Sequence, residues 1–200
     1  IMKILLLANA RTGSTVLYTA LSEILGLKKY GEPFNYNMRK KAGTLIKKFP
    51  IALDDNCIVK TLTSHIPKEY TDTEVNFYDY WKRSFDKVIL LGRNNLQDIY
   101  ESQVHFKKED KHWHQKYYYQ DNYTFESRLW KTLVNSYNYL NWYSKKSHIP
   151  ITWYEDLYSG DKDKIQKCID KWDIQVEVDQ IYRYVNPEYR YRQFVKQTII

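Results

Sequence analysis

The chain has 200 residues, with 31 Lys and Arg against 24 Asp and Glu, for a net charge of +7. A content of 43% hydrophobic and 28% charged residues excludes intrinsic disorder and collagen-like repetition, and the length suits one domain over residues 1–200. The positive charge suits an anionic partner: nucleic acid, an acidic membrane face, or a phosphorylated or sulfated small molecule. Only Cys57 and Cys168 occur, far apart and without Cys-x-x-Cys spacing. That argues against a structural zinc site or a disulfide scaffold and sets a reducing, cytoplasmic compartment as the expectation. No apolar run approaches the roughly 18 residues that span a bilayer, so no transmembrane segment is expected.

Lys3 to Ala10 is a nearly continuous apolar run, the mark of a parallel strand covered on both faces. Ala8-Asn9-Ala10 imitates a signal-peptidase site, but the apolar core Ile4-Leu5-Leu6-Leu7-Ala8, five residues, falls short of the roughly 7–15 of a signal peptide. After Arg11-Thr12-Gly13 the spacing of Val16, Leu17, Ala20, Leu21 and Ile24 predicts a helix over Ser14–Leu25, stopped by Gly26. Further strands are expected at Cys57–Leu62, Lys87–Leu91 and Ile151–Tyr154. Helices are expected from Leu96, from Thr124 as N-cap to Lys146, and over Lys162–Lys171. Phe125, Leu129, Leu133, Tyr137 and Leu140 form the apolar stripe of the long one. Strands separated by helices predict βαβ units and a parallel sheet, with ligands bound beyond the carboxyl ends of the strands. His105 to Tyr123, rich in His, Lys and Tyr, reads as either an acceptor-binding lid or a solvated loop.

The segment from Ala8 to Thr15 occupies the place of a phosphate loop. Against G-x-x-x-x-G-K-[ST], Gly13 and Thr15 match, Ala8 replaces the first Gly and Ser14 replaces the Lys. Without that Lys, kinase or ATPase chemistry is disfavoured. Two readings remain, a plain βα turn with a capping Ser or an anion cradle. The cradle would combine helix N-terminal amides, the hydroxyls of Thr12, Ser14 and Thr15, and the cation Arg11.

Arg11-Thr12-Gly13-Ser14-Thr15 followed by Gly31-Glu32-Pro33-Phe34-Asn35 resembles the 5′-phosphosulfate loop and GEP segment of sulfotransferases that use 3′-phosphoadenosine 5′-phosphosulfate (PAPS). The likeness is closest to the bacterial trehalose-sulfotransferase-like branch. Ile58-Val59-Lys60-Thr61 with His65-Ile66-Pro67 resembles a stretched K-T-H-L-P segment. Val88 to Leu96, then Ser102, resembles the family's 3′-phosphate strand and helix. Lys111-His112-Trp113-His114, Asn141-Trp142 and Tyr154-Glu155-Asp156-Leu157 resemble further positions of that branch. These segments keep the family's order from residue 3 to about residue 174. The basic loop after the family's last helix has no clear match, although Arg190 or Arg192 offers a cation, and Asn186-Pro187-Glu188-Tyr189 is not its pattern.

The resemblance implies an α/β, P-loop-type sulfotransferase fold with a parallel sheet flanked by helices. The implied activity is metal-independent, in-line transfer of a sulfuryl group from PAPS to a hydroxyl or amine, releasing 3′,5′-adenosine bisphosphate. Negative charge then builds on a leaving phosphate, which Arg11 and Lys60 are placed to neutralise. The donor sites implied are Arg11, Thr12, Gly13, Ser14 and Thr15 for the phosphosulfate, Arg93 and Ser102 for the 3′-phosphate, and Tyr154 for the adenine. Tyr154 reads equally well as a core aromatic. Glu32 and His65 compete as the base: Glu32 has the intact motif, while His65 has the more suitable reference pKa, near 6.5. Glu155 and Asp156, adjacent on an expected strand, point to opposite faces and suit capping rather than acid–base work.

The acceptor, whether small molecule, carbohydrate or lipid hydroxyl, is not named by these residues. A nucleotide or small-molecule kinase on a related fold is the alternative enzyme. A basic, Tyr-rich nucleic-acid-binding module is the alternative from another class. Scattered lysines and the lack of an RNA-binding signature count against the module, so no nucleic-acid partner is expected.

Overall fold

The computed structural model describes residues 1–33, 53–66, 83–109 and 122–186. Five strands form one parallel sheet: β1 (Met2–Ala8), β2 (Lys28–Lys29), β3 (Asn56–Leu62), β4 (Lys87–Gly92) and β5 (Ile151–Trp153), in the order β2-β3-β1-β4-β5. Because every pairing is parallel, all carboxyl ends open on one edge. After β1 the chain crosses to the edge strand β2, comes back to lay β3 between β2 and β1, and then places β4 on the other side of β1. That reversal leaves a crevice beside the end of β1, where open α/β sheets bind ligands.

The apolar run of β1 follows from burial on both faces. Ile4, Leu6 and Ala8 pack into one core with Ile58, Ile89 and Leu91. Three helices cover that face: α1 (Ser14–Leu25), α5 (Lys162–Asp170) and α6 (Val178–Val185). Leu5 and Leu7 point the other way, joining Val59, Leu90, Leu140 and Tyr143 beneath α3 (Asn122–Ser147). A smaller cluster of Ile99, Leu129 and Leu133 joins α3 to α2 (Leu96–Glu109). Gly26 ends α1 in the left-handed region at φ 64°, and its N–H donates to Ser22 O. Asn95 Oδ1 opens α2 by accepting the amides of Gln97 and Asp98.

Several expectations shift by local physics. β1 stops at Ala8, and the buried Asn9 leaves the ladder with its amide still donating to Leu91 O. Tyr154 does not extend β5 but starts α4 (Tyr154–Leu157), so Glu155 and Asp156 lie on a helical turn, not a strand. Acidic residues suit that first turn. Glu155 uses its carboxylate to accept the amides of Asn94 and Asn95. Thr124 lies inside α3, which begins at Asn122, and is not its cap. Of the segment His105–Tyr123, the first residues complete α2 and the last two begin α3, while 110–121 lie outside the described residues. Helix α6 is hidden in the sequence, because Ile174, Val176 and Val178 alternate like a strand into its first residue. Its Ile181 and Val185 are nonetheless fully buried, and Glu177 with Gln180 forms a capping box.

Among the described residues no helix is long and apolar enough to cross a membrane.

Candidate active site

The loop from Asn9 to Gly13 sits at the end of β1. It turns left-handed twice, at Arg11 (φ 57°) and Gly13 (φ 72°). Its shape is held from inside: the buried Thr12 Oγ1 donates to Asn9 O at 2.8 Å, and Thr63 Oγ1 donates to Asn9 Oδ1 at 3.0 Å. The Thr12 hydroxyl therefore shapes the loop and is already engaged as a donor. Gly13 is the N-cap of α1, and no side chain caps the helix, which rules out Ser14 as its cap. The first amides of a helix lack intrahelical acceptors. The first turn of α1 also carries no acidic residue. Both features suit an anion.

Three elements converge on Glu32. Lys60, on β3, has its Nζ 2.8 Å from Thr15 Oγ1 at the start of α1 and 2.8 Å from Glu32 Oε1. Side-chain exposures of 9% and 17% make this a largely desolvated pair. His65, on the 3₁₀ turn Thr63–His65 that follows β3, brings Nδ1 to 3.4 Å from Glu32 Oε2, an approach that makes no hydrogen bond among the described residues. The backbone before Glu32 is clamped on both sides. Gly31 N donates to Tyr18 Oη at 2.6 Å, and Lys60 N donates to Gly31 O at 3.0 Å. Burial, the larger influence, pushes the Tyr18 phenol above its ordinary pKa and keeps it a neutral hydroxyl.

The other edge of the crevice carries Arg93, just past β4. Its Nη2 pairs with Asp98 Oδ2 at 2.8 Å, and its guanidinium lies 4.6 Å from the Tyr154 ring centroid. Tyr154 stacks in turn on Tyr158, with centroids 4.7 Å apart. Ser102 was expected beside Arg93, one helix turn and more into α2. Its Oγ instead accepts from Arg11 Nε at 2.9 Å, so the hydroxyl faces the loop cation.

Arg11, Thr15, Glu32, Lys60, His65 and Ser102 are thus linked in two groups at one edge of the sheet, with Arg93 and Tyr154 forming a third. Phe34, Asn35, Pro67, Lys111–His114, Arg190 and Arg192 lie outside the described residues, as do Pro187, Glu188 and Tyr189. Asn141 and Trp142 lie on α3, where Asn141 Nδ2 donates to Tyr137 O and Trp142 packs on Tyr139. Among the described residues no group of three or more His, Cys, Asp or Glu could hold a metal ion.

Three further contributors belong to no motif of the sequence. Asn9 anchors the loop, Tyr18 fixes Gly31, and Tyr158 donates its hydroxyl to Gly13 O at 2.6 Å. Only Tyr158 left a signal, four residues after Tyr154, and that spacing has meaning only on a helical turn.

No protein-family model matches the chain, and no curated protein matches it.

Proposed function

We propose that the protein is a PAPS-dependent sulfotransferase of the P-loop-type fold, transferring a sulfuryl group to a hydroxyl or amine acceptor. One observation carries the reading: a single ammonium, Lys60 Nζ, touches both the loop-side Thr15 and the carboxylate of Glu32. On this reading an anion cradle, a cation and a proton acceptor share one site. Two polar groups suit an anionic donor further. Asn9 Nδ2 and Arg93 Nε are withdrawn from solvent and make no hydrogen bond among the described residues.

When bound, the donor supplies an activated sulfuryl group whose leaving group is a phosphate. The amides at the start of α1, with Arg11 and Lys60, hold anionic oxygens and stabilise charge that develops on them. Arg93 and the face of Tyr154 hold the nucleotide's other end, the guanidinium acting as a fork for phosphate. Glu32 accepts the acceptor's proton at a carboxylate oxygen. His65 stands beside it as the competing base.

The test is turnover. Purified protein incubated with PAPS and a panel of sugar, lipid and phenolic hydroxyls should release 3′,5′-adenosine bisphosphate in an acceptor-dependent manner. The same Lys60→Ala protein should release it far more slowly. Acceptor-independent release, or none with any acceptor class, counts against the proposal.

A further inference from the structure

We infer that Tyr158 is a positioning residue for the anion loop, fixing the Gly13–Ser14 peptide so that the Ser14 amide faces the donor's 5′-phosphate. The inference rests on the donor reading above and deepens it.

Tyr158 is 6% exposed and its hydroxyl donates to Gly13 O at 2.6 Å. The same carbonyl accepts the amides of Val16 at 3.0 Å and Leu17 at 3.2 Å, so three donors hold one oxygen. A trans peptide is planar, so its N–H points opposite to its C=O. Locking the Gly13 carbonyl toward the body of α1 therefore locks the Ser14 amide outward, toward the crevice. The fit is mutual. Gly13 has φ 72°, and a Cβ there would lie 2.5 Å from Tyr158 Cζ, so only glycine admits this ring. Loop and ring also share a scaffold with the opposite end of the site, since Tyr158 stacks on Tyr154 and Arg93 covers Tyr154. A second donor points to a ligand at this loop: Asn9 is 2% exposed, and its Nδ2 has no hydrogen-bond partner among the described residues.

Calorimetric titration of the wild type and Tyr158→Phe with adenosine 3′,5′-bisphosphate and adenosine 3′-monophosphate tests this. Tyr158→Phe keeps the ring and removes only the hydroxyl. It should weaken the bisphosphate roughly three- to tenfold, the worth of one neutral hydrogen bond, and leave the monophosphate unchanged. Gly13→Ala, which disturbs the contact from its other side, should erase the bisphosphate's advantage over the monophosphate. Equal losses with both ligands mean general destabilisation and overturn the inference, as does an unchanged bisphosphate affinity or an advantage that survives Gly13→Ala. Wild-type protein that binds neither nucleotide overturns the donor reading itself, and that result needs no variant.

Discussion

Glu32 and His65 share one carboxylate's surroundings, and their roles separate by what each side chain touches. Glu32 meets Lys60 at 2.8 Å, whereas His65 approaches its other oxygen only to 3.4 Å. Glu32→Gln should lower turnover by at least about 10²-fold, the usual contribution of a general base. It should leave bisphosphate binding intact, because the amide oxygen can still accept from Lys60. His65→Ala should keep a substantial fraction of activity. Turnover measured beside calorimetric binding decides, and the reverse pattern would move the base to His65. At the other edge, Arg93→Ala should weaken 3′,5′-adenosine bisphosphate tenfold or more, since a charge-assisted bond is worth about 1.5–3 kcal/mol. Adenosine 5′-phosphosulfate, which has no 3′-phosphate, should bind wild type and variant alike. Equal losses with both ligands would make Arg93 structural, a brace for Asp98 and Tyr154.

Among the elements, those with a strong period were legible and those built by contact were not. The apolar run of β1 and the stripe of α1 with its Gly26 stop gave both elements to within two residues, because each is set by local pattern. The Lys60, Arg93 and Arg11 positions at strand ends were legible for the same reason. Their partners were not. Ser102 turns to Arg11 rather than Arg93, and Tyr158 reaches Gly13 across 145 positions of chain. Such choices depend on how α2 and α4 pack, and no short-range pattern encodes them. The break between β5 and α4 was hidden because Ile151 to Tyr154 is uniformly β-prone, whereas the helical turn is stabilised from outside, by Asn94 and Asn95. Packing between elements gives its own test. A Cβ at Gly92 on β4 would lie 2.7 Å from the Trp153 ring and 3.0 Å from Ile151 Cγ2. Gly92→Ala should therefore destabilise by about 1–3 kcal/mol through overcrowding. Leu140→Ala, at a fully buried site on α3, should cost about 2–5 kcal/mol through a cavity. Denaturant midpoints check both, and a neutral Gly92→Ala would mean that β4 and β5 separate easily.

Across the whole molecule, titration of buried groups links the core to pH. Burial pushes the Cys168 thiol from 9.0 up to about 11, and burial also raises the Tyr18 and Tyr139 phenols. A group whose pKa is raised by folding keeps its proton in the folded state after the unfolded chain has lost its own. Its contribution is complete below pH 9 and is lost as pH rises through about 11 for Cys168. Stability should fall across that window, and Cys168→Ala should make the fall shallower. Denaturant unfolding at pH 8, 9, 10 and 11 reads the slope; an unaltered slope in the variant would assign it to other groups.

The central claim is that the crevice takes a nucleotide carrying both 3′- and 5′-phosphates. It is tested most directly by calorimetric titration of the wild-type protein with 3′,5′-adenosine bisphosphate and, separately, with ATP. Arg93 beside Tyr154 at one end and the α1 amides with Arg11 and Lys60 at the other predict saturable binding of the bisphosphate and none of ATP. Binding of ATP with no response to the bisphosphate would contradict the account and favour a kinase.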